Sequence, residues 1–119
     1  MLKTREIPPE QWGRYLQTVV ERERDHPVKI EVVGDNVGAQ PFEEHAPLIG
    51  LSLEPKGTGR GYIEVTVGGP DGTLGHSIEE PEHIWVEESA TGEVEAIDIE
   101  DRDQVKTLLV FEHPAMLDA

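Results

Sequence analysis

Residues 62–78 read YIEVTVGGPDGTLGHSI, and their pattern recurs through most of the chain. Apolar residues stand at every second position from 63 to 67, as in a strand that is buried on one side. The segment Gly68–Gly72 then supplies turn residues, because Pro presets the φ of a turn and Gly tolerates positive φ. Leu74, His76 and Ile78 return to the same alternation. The stretch therefore predicts a β-hairpin.

The period of two continues on both sides of this hairpin. Strands are predicted at about residues 28–33, 48–54, 62–67, 73–78, 83–88, 93–99 and 105–112. The connections between them are short, whereas parallel strands need crossovers of about a dozen residues or more. The sequence therefore predicts an antiparallel meander of about seven strands. A curled sheet or a partly open barrel would limit its exposed edges.

A helix is predicted near the N-terminus, over about residues 9–25. Pro8 and Pro9 suit a helix start, because the first N–H groups of a helix have no intrahelical partner. Apolar residues follow at the spacing of one helical stripe: Trp12, Tyr15, Leu16, Val19 and Val20. Pro27 ends the helix, since the residue before a Pro is pushed out of the α region. The predicted architecture is α+β, mainly β, with this helix packed on the sheet in a single domain over residues 1–119.

Composition excludes several classes of function. The 119 residues contain 10 Lys and Arg against 25 Asp and Glu, a formal net charge of −15. Nucleic acids and anionic membrane surfaces both attract clustered basic residues, so neither is an expected partner. The absence of Cys excludes disulfides, thiolate catalysis and Cys-ligated metal centres. No apolar stretch approaches the ~20 residues of a membrane-spanning helix, so we expect a cytoplasmic protein.

The acidic excess is concentrated in residues 79–103, which hold eleven acidic residues and one base. A hairpin in this segment would bring Glu87 and Glu88 opposite Glu93 and Glu95, and carboxylates are ligands that Ca²⁺ and Mg²⁺ prefer. The spacing matches no calcium-binding loop, so a solvated hairpin is the simpler interpretation. A further interpretation is an acidic face that docks on a basic protein surface.

The candidate binding residues lie on the strands predicted at 73–78 and 83–88: His76, His83, Trp85 and Glu87. His76 shares a strand face with apolar residues, so we expect it to point inward, in the core or at the mouth of a barrel. Trp85 either packs beneath the helix or, if exposed beside His83 and Glu87, marks a binding patch, because Trp often anchors interfaces. No motif of nucleophilic catalysis or metal ligation is present, and no catalytic residue, metal or cofactor is predicted.

Five segments, taken in order, resemble a known family. They are REIP at residues 5–8 followed by Trp12, GDNVGAQ at 34–40, PLIGLS at 47–52, HSIEEPEHIWVE at 76–87 and TLLVF at 107–111. The set spans nearly the whole chain and resembles DUF5335, a family of small bacterial proteins of unknown function. The resemblance implies a bacterial, single-domain, cytoplasmic protein. It carries over no activity and no functional residues.

The expected function is that of a non-enzymatic binding or accessory module with an unknown protein or small-molecule partner. One alternative is a small hydrolase or isomerase with its site around His76 in a barrel mouth. An apolar pocket in which His76 converges on a carboxylate would favour that alternative. The other is a structural homodimer, formed through sheet edges or apolar strand faces.

Overall fold

The computed structural model describes residues 2–34, 38–55 and 61–112, and for residues 38–44 it describes the backbone alone. A 3₁₀ turn (Pro9–Gln11) leads into helix α1 (Trp12–Glu23). The described residues form eight strands: β1 (Lys3–Glu6), β2 (Pro27–Gly34), β3 (Gly38–Glu54), β4 (Tyr62–Gly69), β5 (Gly72–Glu79), β6 (Pro81–Glu88), β7 (Val94–Asp101) and β8 (Lys106–Phe111). The predicted architecture, a mainly antiparallel sheet with one N-terminal helix, is confirmed.

The strands form one antiparallel sheet in the order β1-β6-β7-β8-β2-β3-β4-β5. Strands β2 to β5 make one meander and β6 to β8 another, and β8 pairs with β2 to join them. The observed strand order departs from the predicted single meander at the link between β5 and β6. There Glu80 takes a positive φ of 51°, and β6 pairs with β7 and β1 instead of β5. Over the described residues the sheet is not closed into a barrel.

Strand β1 has no counterpart in the sequence pattern. Its residues, Lys3–Glu6, are all exposed and have no apolar face, so a search for alternating hydrophobicity finds no signal there. The strand forms because it pairs with β6, with Glu6 opposite Trp85. The pairing extends by one more bond, since the N–H of Ile7 donates to the carbonyl of Ile84 at 2.8 Å. Strand β1 therefore depends on tertiary pairing.

Strand β3 is longer than predicted because it serves both halves of the sheet. The pattern predicts residues 48–54, and the strand covers Gly38–Glu54. Its first part pairs with β2, and its second part, from Leu48, pairs with β4. Close to this change of partner, His45 takes a positive φ of 57°, and the β2–β3 register shifts on both sides of Ile30. Such irregularities bend a strand and let it pass from one partner to the next.

The hairpin predicted over residues 62–78 is confirmed. Gly69 pairs with Gly72 across a two-residue loop of Pro70 and Asp71, and Gly72 has a φ of 137°. Only Gly adopts that backbone conformation without strain. The alternate apolar residues of β4 are fully buried in the core: Ile63, Val65 and Val67.

Helix α1 ends two residues earlier than predicted, because Asp25 takes a positive φ of 71° that no helix can continue. Four of the five residues of the predicted apolar stripe are buried: Trp12, Leu16, Val19 and Val20. The fifth, Tyr15, is half-buried. The indole N–H of Trp12 donates to the carbonyl of Ile7 at 2.8 Å, which anchors the helix start to the end of β1. Full burial of such a side chain contributes about 1.5–3 kcal/mol. Neither α1 nor any other described helix has the length and apolar character to cross a membrane.

The sheet has an inner face beside α1 and an outer face on the opposite side. Five inner-face residues of β6, β7 and β8 are fully buried: Ile84, Val86, Ile97, Ile99 and Leu109. Successive side chains of a strand point to opposite faces. Trp85, Asp98 and Leu108 therefore lie on the outer face, where they are half-buried.

Candidate functional site

The outer face carries a shallow groove of about 350 Å³, which we call the outer groove. It crosses strands β1, β6, β7 and β8, so rigid elements hold most of its side chains in place. Apolar, acidic and basic residues line it: Thr4, Trp85, Val86, Glu87, Ala96, Ile97, Asp98, Lys106 and Leu108. The groove combines an aromatic ring, aliphatic surface and two carboxylates.

Strand pairing aligns the side chains of the outer groove in rows. Trp85 on β6 stands opposite Asp98 on β7, and Asp98 stands opposite Leu108 on β8. In the next row, Glu87 on β6 stands opposite Thr4 on β1. Directly opposite residues of an antiparallel pair are near enough for their side chains to interact. The carboxylate of Asp98 therefore lies between an aromatic and an aliphatic side chain.

The ring of Trp85 is held from one side by His83. The two ring centroids lie 4.9 Å apart, and the planes differ by 19°, which is a stacked arrangement. The Nδ1–H of His83 donates to the carboxylate of Glu6 at 2.7 Å. Glu6 comes from β1 and therefore fixes the imidazole from the neighbouring strand. The chain Glu6–His83–Trp85 presents an oriented aromatic surface at the edge of the outer groove.

Asp98 is the most unusual polar residue of the outer groove. Its Oδ1 is buried and has no hydrogen-bond partner among the described residues. Its Oδ2 lies 3.9 Å from Nζ of Lys106, a separation too long for a hydrogen bond. Burial raises the pKa of this carboxyl; Lys106 opposes that effect and Glu100 adds to it. A charged carboxylate that lacks a close donor is costly, because desolvation favours its protonated form.

These features define what the outer groove can bind. A cation placed over the face of a Trp ring is attracted by the ring quadrupole, and Arg adds planar stacking. A guanidinium group would also supply the hydrogen-bond donors that Asp98 lacks. The aliphatic surface of Leu108 and Ala96 suits the methylene stem of such a side chain. The geometry fits a basic side chain better than an anion.

The structure brings three of the four predicted binding residues together and separates the fourth. His83, Trp85 and Glu87 lie on the outer face, and Trp85 does not pack beneath the helix. His76 points inward from β5, where its Nε2 lies 3.4 Å from Oγ1 of the buried Thr107. Burial lowers the pKa of His76, and the nearby Glu64 partly opposes that effect. His76 therefore points inward as expected, and its side chain lies between β5 and β8.

The four glutamates predicted as metal candidates do not converge. Glu87 pairs with Ala96 and Glu88 pairs with Val94, so the expected opposition to Glu93 and Glu95 is absent. Glu88 faces the inner side, where both of its oxygens accept bonds from Arg5 at 2.8 and 3.3 Å. In the described part of the chain, no group of three or more His, Asp or Glu side chains could hold a metal ion. The register shift between Glu87 and Glu88 changes their partners on β7, and the alternation of the strand sends the two carboxylates to opposite faces.

The residues that complete the outer groove, Asp98 and Lys106 above all, were not predicted from the sequence. The signal for Asp98 is its place between Ile97 and Ile99, both fully buried, which predicts an outward carboxylate on β7. Its position beside Trp85 depends on the β6–β7 register, which the spacing of the turn residues alone does not determine. The position of Glu6 beside His83 was not predicted for another reason, because β1 has no apolar alternation that would indicate a strand.

Comparison with known proteins places the chain in a family. The model described as "Family of unknown function (DUF5335)" matches residues 3–119. The chain belongs to the DUF5335 family. This DUF5335 protein is also similar to an "Uncharacterized protein" of Aquifex aeolicus (strain VF5), with 32% identity over 108 residues, 91% of each chain. No solved structure gives a significant match to this DUF5335 protein.

Proposed function

We propose that this DUF5335 protein is a non-enzymatic binding module that docks a basic segment of a partner protein in the outer groove. The observation that carries the proposal is the half-buried carboxylate of Asp98 beside the ring of Trp85, because its buried Oδ1 has no hydrogen-bond partner among the described residues. An Arg side chain of the partner would stack on Trp85 and donate to Asp98. Such an arrangement combines cation–π attraction with a charge-assisted hydrogen bond.

Charge supports the same choice of partner. The chain has a formal net charge of −15, and Glu6, Glu87 and Glu100 surround the outer groove against one Lys on its lining. Complementary charge speeds association and disfavours acidic competitors, although it contributes less to the final affinity. The ring of Trp85 and the carboxylate of Asp98 then favour Arg over other basic groups, because a guanidinium can stack on the ring and donate to the carboxylate.

The test uses the peptide tetra-arginine as a probe, followed by two-dimensional NMR of the ¹⁵N-labelled protein. The two indole N–H signals serve as site and control. Trp85 lies in the outer groove, whereas the Trp12 indole is buried and bonded to Ile7. We expect the Trp85 signal to shift on titration and the Trp12 signal to stay in place. We also expect tetra-lysine to bind more weakly, because an ammonium does not stack.

Variants separate a specific site from general attraction to an acidic protein. Asp98→Asn and Trp85→Leu should each weaken tetra-arginine binding by about tenfold. Asp71→Asn removes the same charge at the exposed β4–β5 turn and should leave the affinity within about twofold. Equal losses in Asp98→Asn and Asp71→Asn would contradict the proposal, as would an unmoved Trp85 signal.

The setting that we propose for this module is the bacterial cytoplasm. The relative from Aquifex aeolicus supports a bacterial source. Fractionation of cells that express the native gene, with an antibody against the chain, would test the compartment; recovery outside the cytoplasm would contradict it.

A second candidate function, a homodimer, is favoured by one feature of the sheet. The two edge strands differ, because β1 is four residues long and carries Lys3, Arg5 and Glu6, whereas β5 is eight residues long and carries one charged residue, Glu79. Charged and short edges resist pairing with other chains, and long neutral edges permit it. Exposed Leu74 lies on β5. The partner for this edge would be a second copy, paired antiparallel through β5.

Sedimentation equilibrium at several protein concentrations tests the dimer. Leu74→Lys should convert a dimer to a monomer, because it places like charges at the self-paired edge. Val110→Lys is the matched control, since Leu74 and Val110 are both 41% exposed and Val110 lies on β8, away from the edge. A wild-type protein that stays monomeric over the whole range would contradict this candidate.

A further inference from the structure

The fold pairs two acidic side chains of the N-terminal segment with histidines. Residues 1–26 hold five bases and five acids, so the segment is neutral as a sequence. In the structure Glu6 points to the outer face and bonds to His83. Glu23 is buried and accepts a bond from His26 at 2.9 Å. Two of the five acids are thereby bonded to histidines and not to the arginines of the segment.

Three of the five bases of this segment line one groove. A cavity of about 420 Å³, which we call the arginine groove, lies between α1 and the end of the β1–β6 pair. Its lining includes Arg5, Arg14, Tyr15, Thr18, Arg22 and Glu88. Among the described residues of the lining, Glu88 is the single acid, and Arg5 binds both of its oxygens. Two further guanidinium groups remain for a ligand.

Arg14 and Arg22 make no ion pair within the described residues. This is notable in a chain with 25 acidic residues against 10 Lys and Arg. The two arginines lie eight residues apart on α1, about 12 Å along the helix axis. Because both line the same cavity, they can contact two ends of one elongated anion.

Contacts among Arg5, Tyr15 and Glu88 hold the floor of the arginine groove in position without a ligand. The guanidinium of Arg5 lies 5.6 Å from the ring centroid of Tyr15 and is fixed by Glu88. Burial raises the pKa of Tyr15 to about 12; Glu88 adds to the effect, and Arg5 and Arg22 oppose it. Tyr15 therefore keeps its hydroxyl proton at physiological pH and adds no negative charge to the groove. A positioned floor reduces the ordering cost of binding.

We propose that the arginine groove binds a small polyanion with at least two negative groups, of the polyphosphate class. Arg14 and Arg22 each bind one end, and Tyr15 forms part of the floor between them. This site is independent of the proposed function in the outer groove, since Glu87 and Glu88 place the two grooves on opposite faces of β6.

Isothermal titration calorimetry at low ionic strength tests this site with sodium tripolyphosphate. We expect tripolyphosphate to bind about tenfold more tightly than orthophosphate, because only the longer anion reaches both arginines. The double variant Arg14→Gln/Arg22→Gln should lose about tenfold or more in affinity. Thermal unfolding of each variant should show that the fold is intact.

Arg24→Gln is the matched control, because Arg24 is an exposed arginine at the end of α1 that does not line the arginine groove. It should change the affinity by no more than about twofold. Equal losses in Arg24→Gln and in the double variant would overturn the proposal in favour of diffuse attraction. Absence of any heat with tripolyphosphate would also overturn it, and so would tighter binding of a tetra-glutamate peptide than of tripolyphosphate.

Discussion

The outer groove and the arginine groove lie on opposite sides of the same strand, β6, and have opposite electrostatic character. On the outer side, Trp85 and Glu87 lie beside the carboxylate of Asp98, which has no close donor within residues 2–34, 38–55 and 61–112. On the inner side, Glu88 binds Arg5, and Arg14 and Arg22 form no ion pair in the part of the chain that the structure describes. A net charge of −15 describes neither surface. The comparison shows that alternation along one strand can place two different binding chemistries one residue apart.

The two grooves also differ in how they are built. Four strands line the outer groove, so its geometry depends on register between β1, β6, β7 and β8. The arginine groove depends on α1 and on the way that the helix docks against β1. A substitution that disrupts α1 should therefore affect the arginine groove more than the outer groove.

The largest expected effect is a difference in the free energy of unfolding between variants of Trp12 and variants of Trp85. Trp12→Ala should lower the free energy of unfolding by about 3–5 kcal/mol, because Trp12 is 1% exposed and anchors α1. Trp85→Ala should cost less than about 1.5 kcal/mol, since Trp85 is half-buried on the outer face. Urea unfolding followed by far-ultraviolet circular dichroism measures both.

Trp12→Phe provides a milder companion if Trp12→Ala does not fold, and it should still cost more than Trp85→Phe. Equal costs at the two positions would show that Trp85 belongs to the core and would weaken the distinction between the grooves.

The second effect tests whether the grooves act independently. Asp98→Asn should weaken tetra-arginine binding by about tenfold and leave tripolyphosphate binding within about twofold. Arg14→Gln/Arg22→Gln should have the reverse pattern, because each variant changes one face of β6 only. Calorimetry with both probes on both variants measures the four affinities. A loss of both affinities in either variant would mean that the grooves are coupled through the fold.

The third effect concerns stability and the charge of Asp98. Because burial raises the pKa of this carboxyl, the folded state holds the proton more tightly than the unfolded chain does. The stabilisation linked to that proton is present below the unfolded pKa of about 3.9 and is lost as pH rises through the folded pKa. At neutral pH, Asp98→Asn should therefore be more stable than the wild type, by about 1 kcal/mol or less.

Thermal unfolding across the acidic range would show this difference shrinking as pH falls through the folded pKa of Asp98. Asp71→Asn, on an exposed turn, should show no such trend. If the wild type is more stable than Asp98→Asn at neutral pH, Asp98 stabilises the sheet. That result would contradict the proposal that its carboxylate serves to bind a ligand.

The smallest effect concerns the bond between Glu6 and His83. Both side chains are nearly half exposed, at 47% and 44%, and exposed ion pairs contribute about 0–1 kcal/mol. Glu6→Gln should therefore leave the melting temperature almost unchanged. It should still weaken tetra-arginine binding about twofold to threefold, because His83 then orients Trp85 less firmly. A large loss of stability would show that the pair holds β1 in the sheet.

Sequence patterns predicted the parts of the fold whose signal is local. The hairpin over residues 62–78 has its own turn chemistry, and the stripe from Trp12 to Val20 has helical spacing. Strand β1 was not predicted, because its pairing partner comes from a distant segment. The first half of β3 pairs with the preceding strand, β2, and lacks a signal because residues 38–47 show no apolar alternation. The candidate site shows the same division. His83, Trp85 and Glu87 were found on one strand, whereas Asp98 was missed because it comes from the next strand.

By itself, the sequence determined an acidic, cysteine-free chain with one amphipathic helix and a series of antiparallel strands. Those properties follow from composition and from periods of 2 and 3.6 residues, which local segments express without a partner. Only the tertiary structure decided that β8 pairs with β2, that Trp85 stands beside Asp98, and that Arg5 binds Glu88 in the lining of the arginine groove. The physical reason is that strand register and the sorting of charges depend on contacts between segments far apart in the chain.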